Sequence, residues 1–532
     1  MCVSHAPLAE ASSDLPEAID KAVSDVLGRV GDSSSLAAMV LVVVAGLREV
    51  GVLIVRHALE RRDEPYRRGE ALVDCPHCGG HMQRRRKLRP KGRCTDVGKV
   101  VYKRCQYECF ECGHRLFPLD DSLQLRPALR GHDEGFANKL VLMCTVVPFG
   151  KGCDLFCRMT GIKASTQLAR ALTFTIGTRL YEAEMARADA LWLSRCEQPE
   201  LFEPPPAKLR QLKRHKRVYV MTDNSKIGIH QGTRGRHAPQ TKMLRKIAQQ
   251  AKGKAIAAAK RQNLGPESPP KLSEDMQALL AADEDSWRDV RALLIFSESD
   301  LATTSNTRRQ ILHRRVIGHV GTKDEWMRLV HLALHEEGVY TAHEVVIVAD
   351  GGRGIWELFA ELLPTTATRR VVQILDWFHA AQKLWAIGRA LKGSKTPAQR
   401  KACNAWVKQL LDYLAEGKVS NVLQRLRKVR KIPAAAAKTL ENGIDYFVTH
   451  RRRMHYRDFR NRRMLIGSGA IESVHAWVFQ PRCRLPGMRW SVAGANAMIR
   501  LRCSWASDRW DDDFAQAANA PPLTNRKLKI AA

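Results

Sequence analysis

The sequence is short of acid. Its 532 residues carry 55 Asp and Glu against 87 Lys and Arg, a formal charge of +32 and a pI of about 9.9. A surface so one-sided repels itself unless a polyanion meets it, which points to a polyphosphate partner. Long hydrophobic runs are missing too. The longest, "LAAMVLVVVAGL" at 36–47, ends at Arg48 and Glu49, well short of the roughly 20 residues that span a bilayer. It reads as a buried helix, and no membrane partner is expected. The opening "MCVSHAPLAEASSDLPEAID" has no basic stretch leading into an apolar one, so no secretory signal is expected either. Without export, the fourteen cysteines are unsuited to a disulfide scaffold and suggest reduced thiols or a metal. What is present is ordinary: a hydrophobic fraction of 45% fits a globular chain, and the length suggests several domains rather than one core.

Cys75 and Cys78 in "CPHCGG" and Cys109 and Cys112 in "CFECGH" form two CxxC pairs, each followed by glycine. A glycine there permits the tight turn that aims two thiolates at one ion, and two such knuckles supply the four sulfurs of a tetrahedral structural Zn²⁺. Cys105, between the knuckles, is a competing ligand. Whether such a ribbon touches DNA or braces the fold stays open.

Further on, "DLFCRMTGIKASTQLARAL" reads as a short helix stopped at Gly161 and a second helix capped by Ser165 or Thr166. A helix-turn-helix reads this way and would offer Lys163, Gln167 and Arg170 to a DNA groove; a plain helical hairpin reads the same. After the break "FEPPPAKLRQLKRHKR" the pattern turns to strands: "VYVMTD" ending at Asp223, "VRALLIFSES", "EVVIVAD" ending at Asp350 and "VVQIL" before Asp376. Apolar β-branched runs ending in an acid suggest buried strands with a ligand site at their carboxyl ends. The polar stretch 241–287 reads as an insertion or mobile arm. Helical, basic sequence follows to "RRRMHYRDFRNRR", and Glu472 then opens the helix-like "AIESVHAWVF" behind "GSG" at 467–469. Two strand-ending aspartates and a helical glutamate are the hard oxygen donors that a pair of Mg²⁺ ions needs. His331 and His335, four apart in "HLALHEE", lack an evident third ligand and read as core or surface.

Several stretches in order, "CPHCGG", "CFECGHRLFPLDDSLQL", "VYVMTDN", "VVIVADGGRGIW", "ILDWFHAAQKLW" and "IGSGAIESVHAWVFQPRCRLPGMRWSVAGANAMIRLR", resemble the DDE-type insertion-sequence transposases, closest to the ISKra type. The resemblance runs from roughly 40 to 507. It implies a multidomain α/β chain, with an RNase H-like mixed-sheet catalytic core interrupted by an all-α insertion and preceded by helical, zinc-ribbon and helix-turn-helix-like modules. The divisions expected are 1–68 helical, 69–125 zinc ribbon, 126–200 helical and DNA-binding, 215–384 first part of the core, 385–462 all-α basic insertion, 463–510 second part of the core, and 511–532 tail.

On that resemblance Asp223, Asp350 and Glu472 are the catalytic triad holding two Mg²⁺ (or Mn²⁺) ions, one structural Zn²⁺ sits on Cys75, Cys78, Cys109 and Cys112, and Asp376 and His379 of "DWFH" brace the site or meet DNA near it. The implied reaction is metal-assisted cleavage at the element's ends followed by attack of the freed 3′-hydroxyl on target DNA. Arg451, Arg452, Arg453, Arg457, Arg460, Arg462 and Arg463 are expected along the DNA track. Trp490 either stacks on an unpaired base or is a buried structural residue. Double-stranded DNA, a second copy of the chain and a cytoplasmic, nucleoid-associated location follow. Asn224 stands where the family usually has glycine. A nuclease without strand transfer and an inactive DNA-binding regulator are the competing readings.

Overall fold

The computed structural model describes residues 15–123, 125–197, 214–229, 287–303, 309–366, 368–430, 432–486 and 488–520. The expected polar arm at 241–287 lies outside them, apart from its last residue. Two compact units emerge, one of residues 1–180 with 511–532 and one of residues 181–510.

The first unit begins with helices α1 (Leu15–Gly31) and α2 (Leu36–Arg62), the latter started by the Ser35 hydroxyl, which accepts from the Ala38 N–H at 3.2 Å. The run expected to be a buried helix is a helix, but it is not buried. Gly46 is its one buried residue, because a Cβ there would collide with Val26, while Leu36, Leu41 and Leu47 are each about two-thirds exposed or more. The charge pair Arg48–Glu49 does not stop α2, which runs 27 residues and is long and apolar enough to cross a membrane by length and composition. A helix apolar all round can bury only the stripe that finds a partner. Here Val52, Val55 and Leu59 meet Val100, Tyr102 and Leu119, and α1 packs against Gly46 through Val26, while leucines on other faces stay exposed.

Short helix α3 (Glu64–Arg68) leads to a three-stranded sheet ordered β1 (Met82–Arg84), β4 (Tyr107–Cys109), β5 (Arg115–Leu116), with a hairpin β2 (Arg89–Thr95) and β3 (Gly98–Arg104) between β1 and β4. After α4 (Pro118–Ser122) come α5 (Glu134–Val146), α6 (Phe149–Thr160) and α7 (Thr166–Glu197). Gly161 ends α6 in the left-handed region at φ 68°, and the Ser165 hydroxyl caps the next helix through the Leu168 N–H at 3.1 Å. Both turn signals in the sequence therefore act where they were read.

The second unit is built on a mixed five-stranded sheet in the order β10 (Arg315–His319), β7 (Trp287–Ser297), β6 (Arg217–Gly228), β11 (Glu344–Ala349), β12 (Arg370–Leu375). β7 is antiparallel to both β10 and β6, and β6, β11 and β12 run parallel. A two-stranded ribbon, β8 (Leu301–Thr303) with β9 (Arg309–Ile311), precedes β10. Residues 218–222 and 345–349 are buried without interruption, as strands covered on both faces must be. Helices α8 (Lys323–Glu336) and α9 (Arg353–Leu362) flank β11, and His331 of α8 is buried against Tyr340, 2.6 Å away, away from any metal group.

Between β12 and Glu472 the described chain is all helix: α10 (Trp377–Lys392), α11 (Pro397–Ala415), α12 (Val419–Arg427), α13 (Ala434–His450) and α14 (Tyr456–Asn461). Then α15 (Gly469–Val474) passes through a π turn at His475–Phe479 into α16 (Gln480–Cys483), and α17 (Val492–Ala506) follows. The molecule is thus a mixed α/β chain, rich in helix, with a mixed sheet and a separate cysteine-bearing ribbon.

Candidate active site

Strand register brings three aspartates side by side. Thr222 of β6 lies opposite Ala349 of β11, and Ala349 lies opposite Leu375 of β12. The next residues in each strand direction are Asp223, Asp350 and Asp376, so their backbones form a row with steps of about 4.8 Å, the spacing of neighbouring strands. Carboxyl ends of parallel strands are where open α/β sheets hold ligands.

The three acids have different surroundings. Asp376 is fully buried and caps α10. Its Oδ1 accepts from Phe378 N at 3.3 Å and Ser468 N at 2.9 Å, and its Oδ2 from His379 N at 3.1 Å and His379 Nδ1 at 2.5 Å. Four donors fill the roughly four lone-pair positions of a carboxylate. Burial works to raise its pKa, but the His379 imidazole and the backbone N–H groups outweigh that and hold it below the usual carboxylate range. His379 moves the other way: the bond to Asp376 raises its pKa, with the charges of Asp350 and Asp223 adding to it. Asp223 and Asp350 are less enclosed. Each receives one short-range backbone N–H, from Asn224 at 2.7 Å and Gly352 at 2.9 Å, which leaves oxygen free.

Glu472 arrives from α15. One ligand atom each from Asp376, His379 and Glu472 lie within 4.8 Å of one another, close enough to hold a metal ion. Asp223, Asp350 and Glu472 do not by themselves form so tight a group among the described residues. What the fold does bring together is a wider set: His379 feels Asp223 and Asp350 and also stands beside Glu472. Among the described residues no Lys or Arg salt bridge reaches Asp223, Asp350 or Glu472, although the chain carries 87 basic residues. Clustered carboxylates left without cations repel one another, and a divalent ion relieves that. Asp376, His379 and Glu472 are thus the described residues whose ligand atoms are close enough together to hold a metal, with Asp350 and Asp223 on the neighbouring strands. Carboxylate donors suit Mg²⁺ or Mn²⁺, and a histidine whose other nitrogen is held by a carboxylate is pre-oriented for ligation.

Sequence reasoning missed His475. It is buried in the π turn one helical turn after Glu472, its Nδ1 2.8 Å from Ser225 Oγ and its Nε2 3.8 Å from Asp223 Oδ2. Burial lowers its pKa while Asp223 opposes that shift. The three-residue offset from Glu472 was visible; the π turn that rotates the ring toward β6 has no sequence signature. Gly467 and Gly469 have no positive φ; a Cβ on Gly467 would sit 2.9 Å from Phe378 Cε2, so the glycine is a close approach to a ring. Asn224 is extended in β6, paired with Arg291, and needs no glycine conformation.

The expected DNA contacts divide. Lys163 and Gln167 are exposed, while Arg170 lies 5.9 Å from the Phe149 ring. Arg451, Arg452 and Arg463 are exposed; Arg457 is exposed and pairs with Glu416, and Arg460 is exposed and donates to Ala415 O. Arg453 donates to Gln373 at 2.7 Å and stacks over Trp356, and Arg462 pairs with Glu344, so both serve the interior. Trp490 is buried and donates to Cys483 O at 3.2 Å, which makes it the structural residue of the two alternatives.

In the first unit, Sγ of Cys75 lies 3.5 Å from Cys112, and Sγ of Cys78 lies 3.4 Å from Cys109 and 3.5 Å from Cys112. Four thiolates about 2.3 Å from a tetrahedral Zn²⁺ sit about 3.8 Å apart, so the cluster could hold zinc after a small expansion. Gly79 and Gly113, at φ 75° and 69°, close the two turns. Burial pushes Cys75 up, yet the N–H groups of His77 and Cys78 outweigh it and hold the thiol at about 7. For Cys78 the Gly80 N–H works downward, but the thiols of Cys109 and Cys112 push it to about 12. Metal would deprotonate both. Cys105 is buried outside the group.

No protein-family model matches the chain, and no curated protein does. Among solved structures, the Drosophila P element transposase strand transfer complex is similar over 72% of this chain and 82% of that one, at 10% identity and a TM-score of 0.20.

Proposed function

We propose that this chain is a DDE-type insertion-sequence transposase of the ISKra kind, with Asp223, Asp350 and Glu472 as its metal-holding acids. One observation carries the reading: Asp223 lies within β6 next to Asp350, which directly follows the adjacent parallel strand β11, and Glu472 comes within 4.8 Å of Asp376 and His379 on the next strand's end, carried by a helix that follows a helical stretch. The mixed five-stranded sheet supports an RNase H-like core, residues 385–462 are the α-insertion, and residues 69–125 are a zinc ribbon. The chemistry a divalent pair supplies when bound is activation of the attacking water or 3′-hydroxyl and stabilisation of the leaving oxygen.

The protein's own part is positional. Asp223 and Asp350 present free oxygens from a rigid sheet edge, and Asp376 ties α10 to the strip that carries Glu472. His379, held through Nδ1 by Asp376, is fixed in one orientation beside the acids. Exposed arginines track the DNA backbone, each phosphate contact steepening the salt dependence by nearly one unit of log slope. Element ends and target duplex are the substrates, held by a homo-oligomer.

The test is incubation of purified protein with element-end duplex, target DNA and Mg²⁺. Alanine at Asp223, Asp350 or Glu472 abolishes cleavage and leaves end binding within a few-fold; cleavage that survives in all three variants removes the proposal. Cleavage without joining leaves the nuclease alternative.

A further inference from the structure

Beside the acids, the second unit has an open groove of about 530 Å³, within the size range of ligand sites. Its floor is apolar: Met221, two residues before Asp223, with Met464, Leu465 and Ile466. Leu301 and Ile311, paired across the β8–β9 ribbon, form another wall. Three arginines, Arg309, Arg460 and Arg463, stand in the lining, and among the described residues no carboxylate does. The ring of Phe378, 56% exposed, completes it.

The wall made by residues 463–469 is held firmly. Leu465 N–H donates to the Tyr219 hydroxyl at 3.4 Å, Trp377 N–H to Ile466 O at 3.0 Å, and Ser468 N–H to Asp376 at 2.9 Å. Phe378 is fixed from the other side, since its own N–H reaches Asp376 Oδ1 and the Gly467 backbone lies against one ring edge. An aromatic ring is thus presented to solvent two residues from the brace of the acid cluster, between apolar side chains and guanidinium groups. Left bare, such a surface gains nothing from water.

We propose that this groove binds one unstacked nucleotide next to the phosphate being cut, its base on Phe378 and the apolar floor and its flanking phosphates on Arg309, Arg460 and Arg463. This inference rests on the proposed reaction at DNA ends. The pairing of features selects the ligand: an apolar aromatic platform suits the π-face of any base, and positive charge without carboxylates suits a phosphodiester. A base inside duplex DNA hides both faces in the stack, so the groove takes a nucleotide that has left it, at a cost least for a frayed or single-stranded end. Phe378 is exposed in this groove, whereas Trp490, the aromatic the sequence offered for a base, is enclosed.

The experiment uses the full chain in chelator, so that no strand is cut and binding alone is read. The probes are a duplex with a three-nucleotide single-stranded end carrying 2-aminopurine, the same duplex blunt, and one with an abasic site in place of 2-aminopurine. Native protein quenches 2-aminopurine and prefers the overhang. Phe378→Ala abolishes the quenching and weakens overhang binding about tenfold, the scale of one base–aromatic stack, while blunt-duplex binding stays within twofold and Phe378→Trp restores the preference. Melting curves check that the exposed substitution leaves the fold intact. Equal binding of the overhang by native protein and Phe378→Ala overturns the proposal, as does an abasic end bound as tightly as the natural one, the behaviour of a groove that takes an acidic peptide or bare backbone. A chain that binds this way but never cleaves fails the catalytic reading alone; a chain that cleaves normally with Phe378→Ala unaffected in binding fails this one alone.

Discussion

The backbone N–H of Ser468 donates to Oδ1 of Asp376 at 2.9 Å, joining residues 92 positions apart. That bond closes the helical stretch between β12 and α15 back onto the sheet edge, and the same carboxylate caps α10 and holds His379. Glu472 stands beside Asp376 and His379 because this junction holds.

Asp376→Ala therefore removes a helix cap and leaves buried N–H groups unpaired, and the expected loss is about 2–4 kcal/mol. Urea unfolding measures it. A shift below about 0.5 kcal/mol means the junction is held by something else.

The cysteine cluster predicts a metal-dependent ribbon. Serine at Cys75 and Cys109 releases zinc, read as loss of one equivalent by elemental analysis, and lowers the first unit's melting temperature, since such sites contribute on the order of 10 kcal/mol to folding. Full zinc content in the double variant means the ion sits elsewhere.

Asn224→Gly tests the departure from the family pattern. Because residue 224 is extended in β6, glycine adds only backbone entropy to the unfolded chain, and stability falls by about 0.5–1 kcal/mol. Cleavage is unchanged. A rise of tenfold or more in cleavage shows that asparagine hinders the site.

His331 sets an acid limit on stability. Burial lowers its pKa to about 4, with Arg195 adding to the shift, so the native state holds it neutral while the unfolded chain takes up a proton below about pH 6.5. A depressed folded value means that stability is fully present above the unfolded pKa and is lost as pH falls toward 4, a change on the order of 3 kcal/mol. Unfolding free energies measured between pH 7 and 4 for the native chain and His331→Phe check this; parallel curves sink it.

Much of the local structure was legible in the sequence because its causes are local. Gly161 stops a helix and Ser165 starts the next within a few residues of each other. The CxxCG pairs make their own turns, and β-branched runs announce the strands that lead to Asp223 and Asp350, although β6 does not stop at Asp223 as expected but runs on to Gly228, because β7 pairs with it that far. Other features depended on distant residues. Trp490 is buried with its N–H donating to the Cys483 carbonyl, Arg453 points inward because Trp356 and Gln373 are there, and α2 stays largely exposed because its partners cover only some of its faces.

What the sequence by itself determined is the set of turns, caps and donor types, since these follow from φ/ψ preference and hydrogen-bonding capacity at short range. Only the tertiary structure decided which acids stand together and that Asp376 is saturated while Asp223 and Asp350 keep free oxygen. It also decided that Phe378 faces a groove. The reason is that burial and proximity are set by strand register and packing, where one residue's surroundings are supplied by chain hundreds of positions away.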